Sequence, residues 1–176
     1  MKKKYMRANA VAKIALLGFL TVLAPGCKVK YSFTGASISP DVKTFSVSYF
    51  QNLAPLVNPS LSSNLTEELK NKFITQTQLS PVDDGGDLSF SGEIRGYSVS
   101  PVAIQQGEVA AYNRLTISVR VKFENSIDPT QNYDKTFTHY EEFPSDKQLN
   151  NVESELVRLI VEKLVEDIFN NAVANW

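Results

Sequence analysis

One run of alternating residues, from position 109 to 123, constrains the fold of this chain most strongly. Apolar side chains occupy the odd positions (Val109, Ala111, Leu115, Ile117, Val119, Val121 and Phe123), and polar side chains the even ones (Tyr112, Arg114, Thr116, Ser118, Arg120 and Lys122). A period of two is typical of a β-strand with one buried face and one solvated face. A strand this long needs neighbouring strands and a cover for its apolar face.

Three further segments predict the neighbouring strands. In residues 44–50, Phe45, Val47 and Tyr49 alternate with serines. Residues 88–99 place Leu88, Phe90 and Ile94 on one face, with Gly92 and Gly96 leaving room there for a bulky neighbour or a bulge. Residues 133–143 form the last predicted strand, which Pro144 ends.

Two amphipathic helices supply the cover. Asn58 and Pro59 predict a helix start, followed by an apolar stripe at steps of four: Leu61, Leu65, Leu69 and Phe73. Residues 151–175 repeat apolar pairs every four residues, beginning with Leu156 and Val157. The order β-α-β-β-β-α predicts an α+β two-layer sandwich, in which two helices pack on one face of a four-stranded, mostly antiparallel sheet. This single domain would span residues 43–176.

The N-terminus reads as a targeting segment. A basic stretch precedes an apolar run of 11 residues, 14–24, which is too short for a membrane-spanning helix and typical of a signal sequence. Leu23-Ala24-Pro25-Gly26-Cys27 then resembles a bacterial lipobox, with Ala24 and Pro25 departing from the usual pattern. We therefore expect a signal peptide over 1–26, a covalent diacylglycerol and N-acyl lipid on Cys27, and a tether over 27–42. A plain secreted protein and an uncleaved anchor are the alternatives.

Charge and cysteine content exclude several function classes. Residues 1–26 hold five of the 18 basic residues and no acidic one, so the remainder carries 13 basic against 19 acidic residues, a net charge of −6. So acidic a domain is a poor candidate for nucleic-acid binding. One cysteine and one histidine leave no disulfide framework and no multi-cysteine zinc site, and no other cofactor is expected.

The residues offer little for catalysis, and we expect no enzyme. Cys27 precedes the fold, whereas His139 lies within a predicted strand, where it is most simply a partly exposed side chain. The "DDGGD" stretch, 83–87, lacks the ligand spacing of a calcium loop and is typical of a solvated turn. Glu141 and Glu142 are adjacent in a strand, so they point to opposite faces.

Basic side chains on the predicted sheet are the remaining candidates for a site. They are Arg95, Arg114, Arg120, Lys122 and Lys135. Gathered on one outward face, they could bind phosphates or carboxylates. Alternatively, they pair across strands with Glu93, Glu124 and Glu141.

Five segments occur along the chain in this order: "YSFTGASI", "NLAPLVNPSLSSNLTEELKNKF", "GDLSFSGEI", "NRLTISVRVKFEN" and "LVEDIFNNAVANW". This ordered set resembles the lipopolysaccharide-assembly lipoprotein family, LptE, in its branch outside the enteric bacteria. The resemblance implies an outer-membrane lipoprotein, anchored to the bilayer and facing the periplasm. It would be a non-catalytic plug and assembly partner of the LptD β-barrel, in contact with lipopolysaccharide during its transport.

Lys28 follows the cysteine, at the position where an aspartate would suggest retention in the inner membrane. The absence of aspartate there favours the outer membrane. The resemblance also makes the five basic residues candidates for lipopolysaccharide binding, chosen by charge and face. A free-standing periplasmic lipoprotein that binds a small or lipidic ligand between sheet and helices is the alternative.

Overall fold

A computed structural model describes residues 38–56, 58–102 and 111–173. Its elements, in chain order, are β1 (Thr44–Val47), β2 (Gln51–Asn52), α1 (Leu61–Gln76), β3 (Ser80–Pro81), β4 (Leu88–Pro101), β5 (Tyr112–Asn125), a short 3-10 helix (Pro129–Gln131), β6 (Tyr133–Pro144) and α2 (Leu149–Val173). Cys27, the predicted signal peptide, the start of the predicted strand at 109 and the last three residues lie outside the described residues.

The sheet is mixed and has six strands, in the order β3-β1-β4-β5-β6, with β2 beside β4. β1 runs parallel to β3 and β4, and β2 parallel to β4. β4, β5 and β6 form an antiparallel meander. The predicted α+β class is confirmed, whereas the prediction of a four-stranded, mostly antiparallel sheet is wrong. β2 and β3 have two residues each, too few for a periodic signal, and α1 is the crossover that makes β1 and β3 parallel.

Both helices lie on one face of the sheet, α1 over β1–β3 and α2 over β5 and β6. The predicted stripe of α1 is confirmed, because each of its four members is fully buried. Phe73 lies at the centre of the core, with its ring 5.2 Å from Phe45, 4.8 Å from Phe90 and 4.9 Å from Phe169. The stripe of α2 is buried likewise, from Leu156 to Val173.

The first helix begins later than the sequence predicts, at Leu61 rather than Pro59. The side-chain oxygen of Asn58 accepts hydrogen bonds from the backbone N–H and the hydroxyl of Ser60. These bonds hold residues 58–60 as a turn before the helix. Upstream, Ile38 and Val42 already pack against the core, although both fall in the predicted tether.

A β-bulge at Arg95 changes which residues of β4 face the helices. Ile94 lies opposite Val119, but Gly96 lies opposite Ser118, so Arg95 is the extra residue. The prediction that Gly96 shares a face with Ile94 is therefore wrong. Gly92 does leave room for a bulky neighbour: a Cβ added there would lie 2.9 Å from the Phe50 ring.

The edge beside β4 also contains an irregularity. β1 pairs Val47 with Phe90 and β2 pairs Gln51 with Glu93, so three residues, 48–50, span the distance of two on β4. Phe50 is consequently buried, and Tyr49 is 61% exposed. The prediction that Tyr49 faces the core with Phe45 and Val47 is wrong.

Candidate functional site

The side of the sheet opposite the helices carries most of the predicted candidates, and we call it the open face. Within the part of the chain that the structure describes, no helix covers it. Its side chains come from the alternate residues of the three long strands. They are Ser89, Ser91, Glu93, Arg95, Ser98 and Ser100 of β4; Tyr112, Arg114, Thr116, Ser118, Arg120, Lys122 and Glu124 of β5; and Asp134, Thr136, Thr138, Tyr140 and Glu142 of β6.

Arg120 and Asp134 form a bidentate ion pair on the open face, in the C-terminal half of β5. The Nε of Arg120 lies 2.8 Å from one carboxylate oxygen, and its terminal nitrogen 2.7 Å from the other. Hydrogen bonds from Arg120 lower the pKa of Asp134, and the same bonds raise the pKa of Arg120. Glu93 lies 3.8 Å from the other side of the guanidinium. Such fork-to-fork pairs fix both side chains in one orientation.

Arg114 also pairs with a carboxylate on the open face, near the N-terminal end of β5. Its Nε lies 3.1 Å from a carboxylate oxygen of Glu142, its cross-strand neighbour. The guanidinium also stacks over the ring of Tyr140, 4.0 Å from the centroid. The hydrogen bonds to Glu142 raise the pKa of Arg114. Arg114 is therefore held by a carboxylate and an aromatic ring together.

Arg95 and Lys122 have carboxylate partners as well. A terminal nitrogen of Arg95 lies 2.5 Å from Glu93, and the Nζ of Lys122 lies 2.9 Å from Glu124. All four basic residues of the open face thus form ion pairs. Glu93 and Glu124 were expected as partners, but Glu142 takes the place predicted for Glu141, because Glu141 points towards the helices and pairs with Lys163.

Lys135 lies on the other face of the sheet. It is opposite the buried Val121, and its Nζ lies 2.8 Å from the side-chain oxygen of Asn171 in α2. The grouping of Lys135 with the outward basic residues is therefore wrong. The parity of β6 contained the signal, because the apolar Phe137 and Phe143 share the odd positions of Lys135. His139 also points this way, with its Nε2 2.6 Å from Asp167.

A polar contact between the layers was missed by the sequence analysis. The hydroxyl of Tyr97 and the side-chain N–H of Asn58 both donate to the same oxygen of Glu153 at the start of α2. Burial, followed by the bond to Glu153, raises the pKa of Tyr97. The three residues come from segments that are far apart in the sequence. This contact could therefore have been predicted only from the register of β4 after its bulge.

The "DDGGD" turn, residues 83–87, has a structural role. One carboxylate oxygen of Asp87 accepts hydrogen bonds from the backbone N–H groups of Lys43, at 2.8 Å, and Thr44, at 2.9 Å. These two bonds are the main reason that the pKa of Asp87 is lowered. Across the described ranges, no cluster of three or more histidine, cysteine or acidic side chains could hold a metal ion.

A shallow groove of about 450 Å³ lies between the outer surfaces of the two helices, away from the open face. Asn64, Glu68, Arg158, Val161 and Glu162 line it. Four of these five residues are polar or charged. None of the five predicted basic residues lines this groove.

None of the helices that the structure describes is both long and apolar enough to cross a membrane. No curated protein matches the chain significantly. Among solved structures, a minor lipoprotein from Acinetobacter baumannii is 16% identical, with a TM-score of 0.47, over 72% of this chain and 89% of that one. A hypothetical protein from Chlamydia trachomatis is 9% identical, with a TM-score of 0.52, over 76% and 99%. At such identities the second similarity shows a shared fold alone.

Family membership rests on sequence. The model of the LptE family, described as lipopolysaccharide-assembly, matches residues 42–172. This match begins at the buried Val42, two residues before β1, and ends within α2, so it covers every strand that the structure describes. The chain belongs to the LptE family of lipopolysaccharide-assembly proteins.

Proposed function

We propose that this protein is an outer-membrane lipoprotein that acts as the non-catalytic plug and assembly partner of an LptD-like β-barrel in lipopolysaccharide transport. The observation that carries the proposal is the LptE family match over residues 42–172. A plug has to be compact and rigid, and its surface has to suit the polar interior of a large barrel. The filled core and the polar open face meet both requirements.

Affinity purification from detergent-solubilised outer membrane tests the partnership. The full chain, with a C-terminal tag, is expected to recover a large β-barrel in near-equal amounts. A matched preparation from cells that carry the tag on an unrelated lipoprotein controls for general membrane carry-over. Recovery of the chain alone, at full yield and without a barrel, would contradict the proposal.

The lipid on Cys27 is a separate part of the proposal. Intact-protein mass spectrometry is expected to show the mass of residues 27–176 plus a diacylglycerol and an N-acyl chain. The variant Cys27→Ala should lack the acyl mass and leave the membrane fraction, since the acyl chains provide the anchor. A parent protein without any acyl mass would refute the anchor and leave the family assignment untouched.

Binding of lipopolysaccharide is proposed for the basic candidates Arg95, Arg114, Arg120, Lys122 and Lys135. The four on the open face already have carboxylate partners, so a lipid phosphate would replace a carboxylate as the acceptor. Exposed ion pairs are weak, and arginine binds phosphate in the same bidentate geometry. The exchange is therefore physically accessible.

Charge reversal tests this binding. The double variant Arg114→Glu and Arg120→Glu should lower binding of purified lipopolysaccharide. Arg158→Glu in α2 is the matched control, because Arg158 is an exposed arginine paired with Glu155 on the helix layer. Equal binding by the parent and the double variant would leave the open-face arginines as structural residues only.

The alternative function, a free-standing lipid or ligand carrier, needs a cavity between sheet and helices. That space is occupied by the side chains of Phe45, Phe73, Phe90 and Phe123, which are fully buried and follow one another at 4.8–5.2 Å between ring centroids. A carrier would be monomeric in detergent and would extract lipid without a barrel. The packing of this layer favours the plug.

A further inference from the structure

One peptide bond in the "DDGGD" turn joins two groups that can react with each other. Asp84 and Gly85 are both exposed, in the turn between β3 and β4. The backbone N–H of Gly85 donates a hydrogen bond to a carboxylate oxygen of Asp84, with 2.9 Å between nitrogen and oxygen. A Cβ added to Gly85 would meet no atom within 4 Å beyond its chain neighbours. The backbone nitrogen and the side-chain carboxyl are therefore held close together in open space.

Gly85 has two properties that favour a reaction between these groups. Its φ is +66°, in the left-handed region, and no other residue that the structure describes has a positive φ. A glycine adopts this conformation without strain and places no side chain beside its nitrogen. Every other aspartate of the chain is followed by a residue with a side chain, as in Asp87-Leu88, or by the proline of Asp128-Pro129, which has no N–H. Ring closure is therefore least hindered at Asp84.

We propose that Asp84 is a site of spontaneous isomerisation to isoaspartate. The nitrogen of Gly85 forms a bond to Cγ of Asp84, and the hydroxyl of the protonated carboxyl leaves as water with the proton of that nitrogen. Water then opens the succinimide ring. Opening at the main-chain carbonyl leaves Gly85 joined to the side-chain carbonyl, which is isoaspartate, and opening at the other carbonyl restores aspartate. The reaction needs neither the lipid anchor nor the barrel, so the inference stands apart from the proposed function.

The chain directly after the reacting bond has no room to move. Gly86 is buried, and a Cβ added to it would lie 2.6 Å from backbone atoms of Phe45 and Ser46 in β1. Its N–H also donates to the hydroxyl of Ser46, at 3.3 Å. Isoaspartate inserts one extra carbon into the main chain before this tight contact. The extra length must therefore be accommodated beside β1.

Asp87 carries the effect of the extra carbon to β1. Its carboxylate accepts hydrogen bonds from the backbone N–H groups of Lys43 and Thr44, where β1 begins. Hydrogen bonds to a charged group contribute more to stability than neutral ones. A displacement of residues 85–87 lengthens these bonds. The modified protein is therefore less stable than the parent, and the loss arises at the first strand of the sheet.

Timed labelling of the full chain in detergent tests the site. The protein is incubated at neutral pH, and samples are treated with isoaspartyl methyltransferase and S-adenosylmethionine that carries a labelled methyl group. The label is expected to increase with incubation time. Peptide mapping by electron-transfer dissociation should assign it to residue 84, in a peptide of unchanged mass.

Three variants separate this reaction from general ageing. Asp84→Glu should show no increase in label, because its ring closure forms a less favourable six-membered ring. Gly85→Ala should slow labelling by about tenfold, since its side chain hinders the nitrogen and disfavours the positive φ. Asp84→Asn should label faster than the parent, because an amide loses ammonia more readily at neutral pH than an ionised carboxylate loses water. Labelling of the parent no higher than that of Asp84→Glu, or label assigned to another aspartate, would refute the site.

Thermal unfolding of the same samples tests the effect on β1. Before incubation, the parent and Asp84→Glu should have the same thermal midpoint, because residue 84 is exposed. After incubation, the midpoint of the parent should fall as its labelled fraction rises, whereas that of Asp84→Glu should stay constant. A labelled parent that unfolds at its original midpoint would overturn the link to Asp87 and keep the modification site.

Discussion

Replacing Phe73 by alanine removes the side chain on which both layers of the core converge. Phe73 is fully buried, and its ring lies within 5.2 Å of the rings of Phe45, Phe90 and Phe169. Truncation of a buried phenylalanine costs about 3–5 kcal/mol, and an aromatic pair contributes about 0.5–1.5 kcal/mol beyond its buried area. Because three pairs are lost together, we expect about 5 kcal/mol, the upper end of the range.

That loss should be large relative to the total, since domains of this size unfold at about 5–15 kcal/mol. With an unfolding entropy of about 2.1 cal/mol/K per residue over a domain of about 130 residues, 5 kcal/mol lowers the thermal midpoint by about 18 °C. Guanidinium unfolding, followed by far-ultraviolet circular dichroism in one detergent, measures the free energy directly. An unchanged dependence on denaturant would show that the loss belongs to the folded state.

Two controls separate the aromatic cluster from a general effect on α1. Ile74 is the next residue along the helix and is 50% exposed, so Ile74→Ala should change stability by less than about 0.5 kcal/mol. Phe73→Leu keeps most of the volume and should cost about 1.5 kcal/mol. A Phe73→Ala loss below about 2 kcal/mol, or an equal loss for Ile74→Ala, would refute the assignment of Phe73 as the centre of the core.

Three further predictions concern local geometry. In Gly92→Ala the new Cβ would lie 2.1 Å from a backbone oxygen, so thermal unfolding should show a loss of stability of about 3 kcal/mol or more. In Gly96→Ala the new Cβ would lie 3.3 Å from a side-chain carbon, and the loss of stability should be less than about 1 kcal/mol. The pKa of Asp87 is lowered in the folded state, so its charged form stabilises the fold at pH values above the ordinary aspartate pKa. This stabilisation is lost as the pH falls through the folded pKa. The difference in stability between the parent and Asp87→Asn should therefore become smaller in acid titrations monitored by circular dichroism. Tyr97→Phe removes a donor to Glu153 in a partly solvated site and should cost about 1 kcal/mol in urea unfolding.

Periodicity predicted the elements that bury a whole stripe or face. The α1 stripe from Leu61 to Phe73 and the odd positions of β5 from Leu115 to Phe123 are buried as expected, because their pattern repeats over several turns or residue pairs. β2 and β3, with two residues each, have no period to detect. Their places depend on partners far along the chain: Ser80 pairs with Thr44, and Gln51 with Glu93. Such pairing is tertiary information, and single-strand patterns do not contain it.

The candidate site was predicted in composition but only partly in geometry. Arg114, Arg120 and Lys122 were placed correctly, since they share the polar parity of β5. Lys135 was assigned to the wrong face because its charge was given more weight than its odd position in β6. An edge strand tolerates a charged side chain on its inner face when that side chain reaches a partner at the rim of the sheet. Here Lys135 finds Asn171. The Arg120–Asp134 pair depends on the register between β5 and β6, which the sequence does not fix.

The bulge at Arg95 has more influence on the open face than any other residue-level feature. With a regular β4, the residues after Ile94 would keep the earlier parity, which turns Tyr97 to solvent and points Ser98 and Ser100 at the helices. The hydroxyl of Tyr97 would then lose Glu153, and buried serines without partners would be costly. The extra residue instead turns Tyr97 inwards and leaves Arg95 beside Glu93 on the open face. One inserted residue thus keeps the core apolar, brings the hydroxyl of Tyr97 to Glu153 and leaves Arg95 paired with Glu93 on the open face.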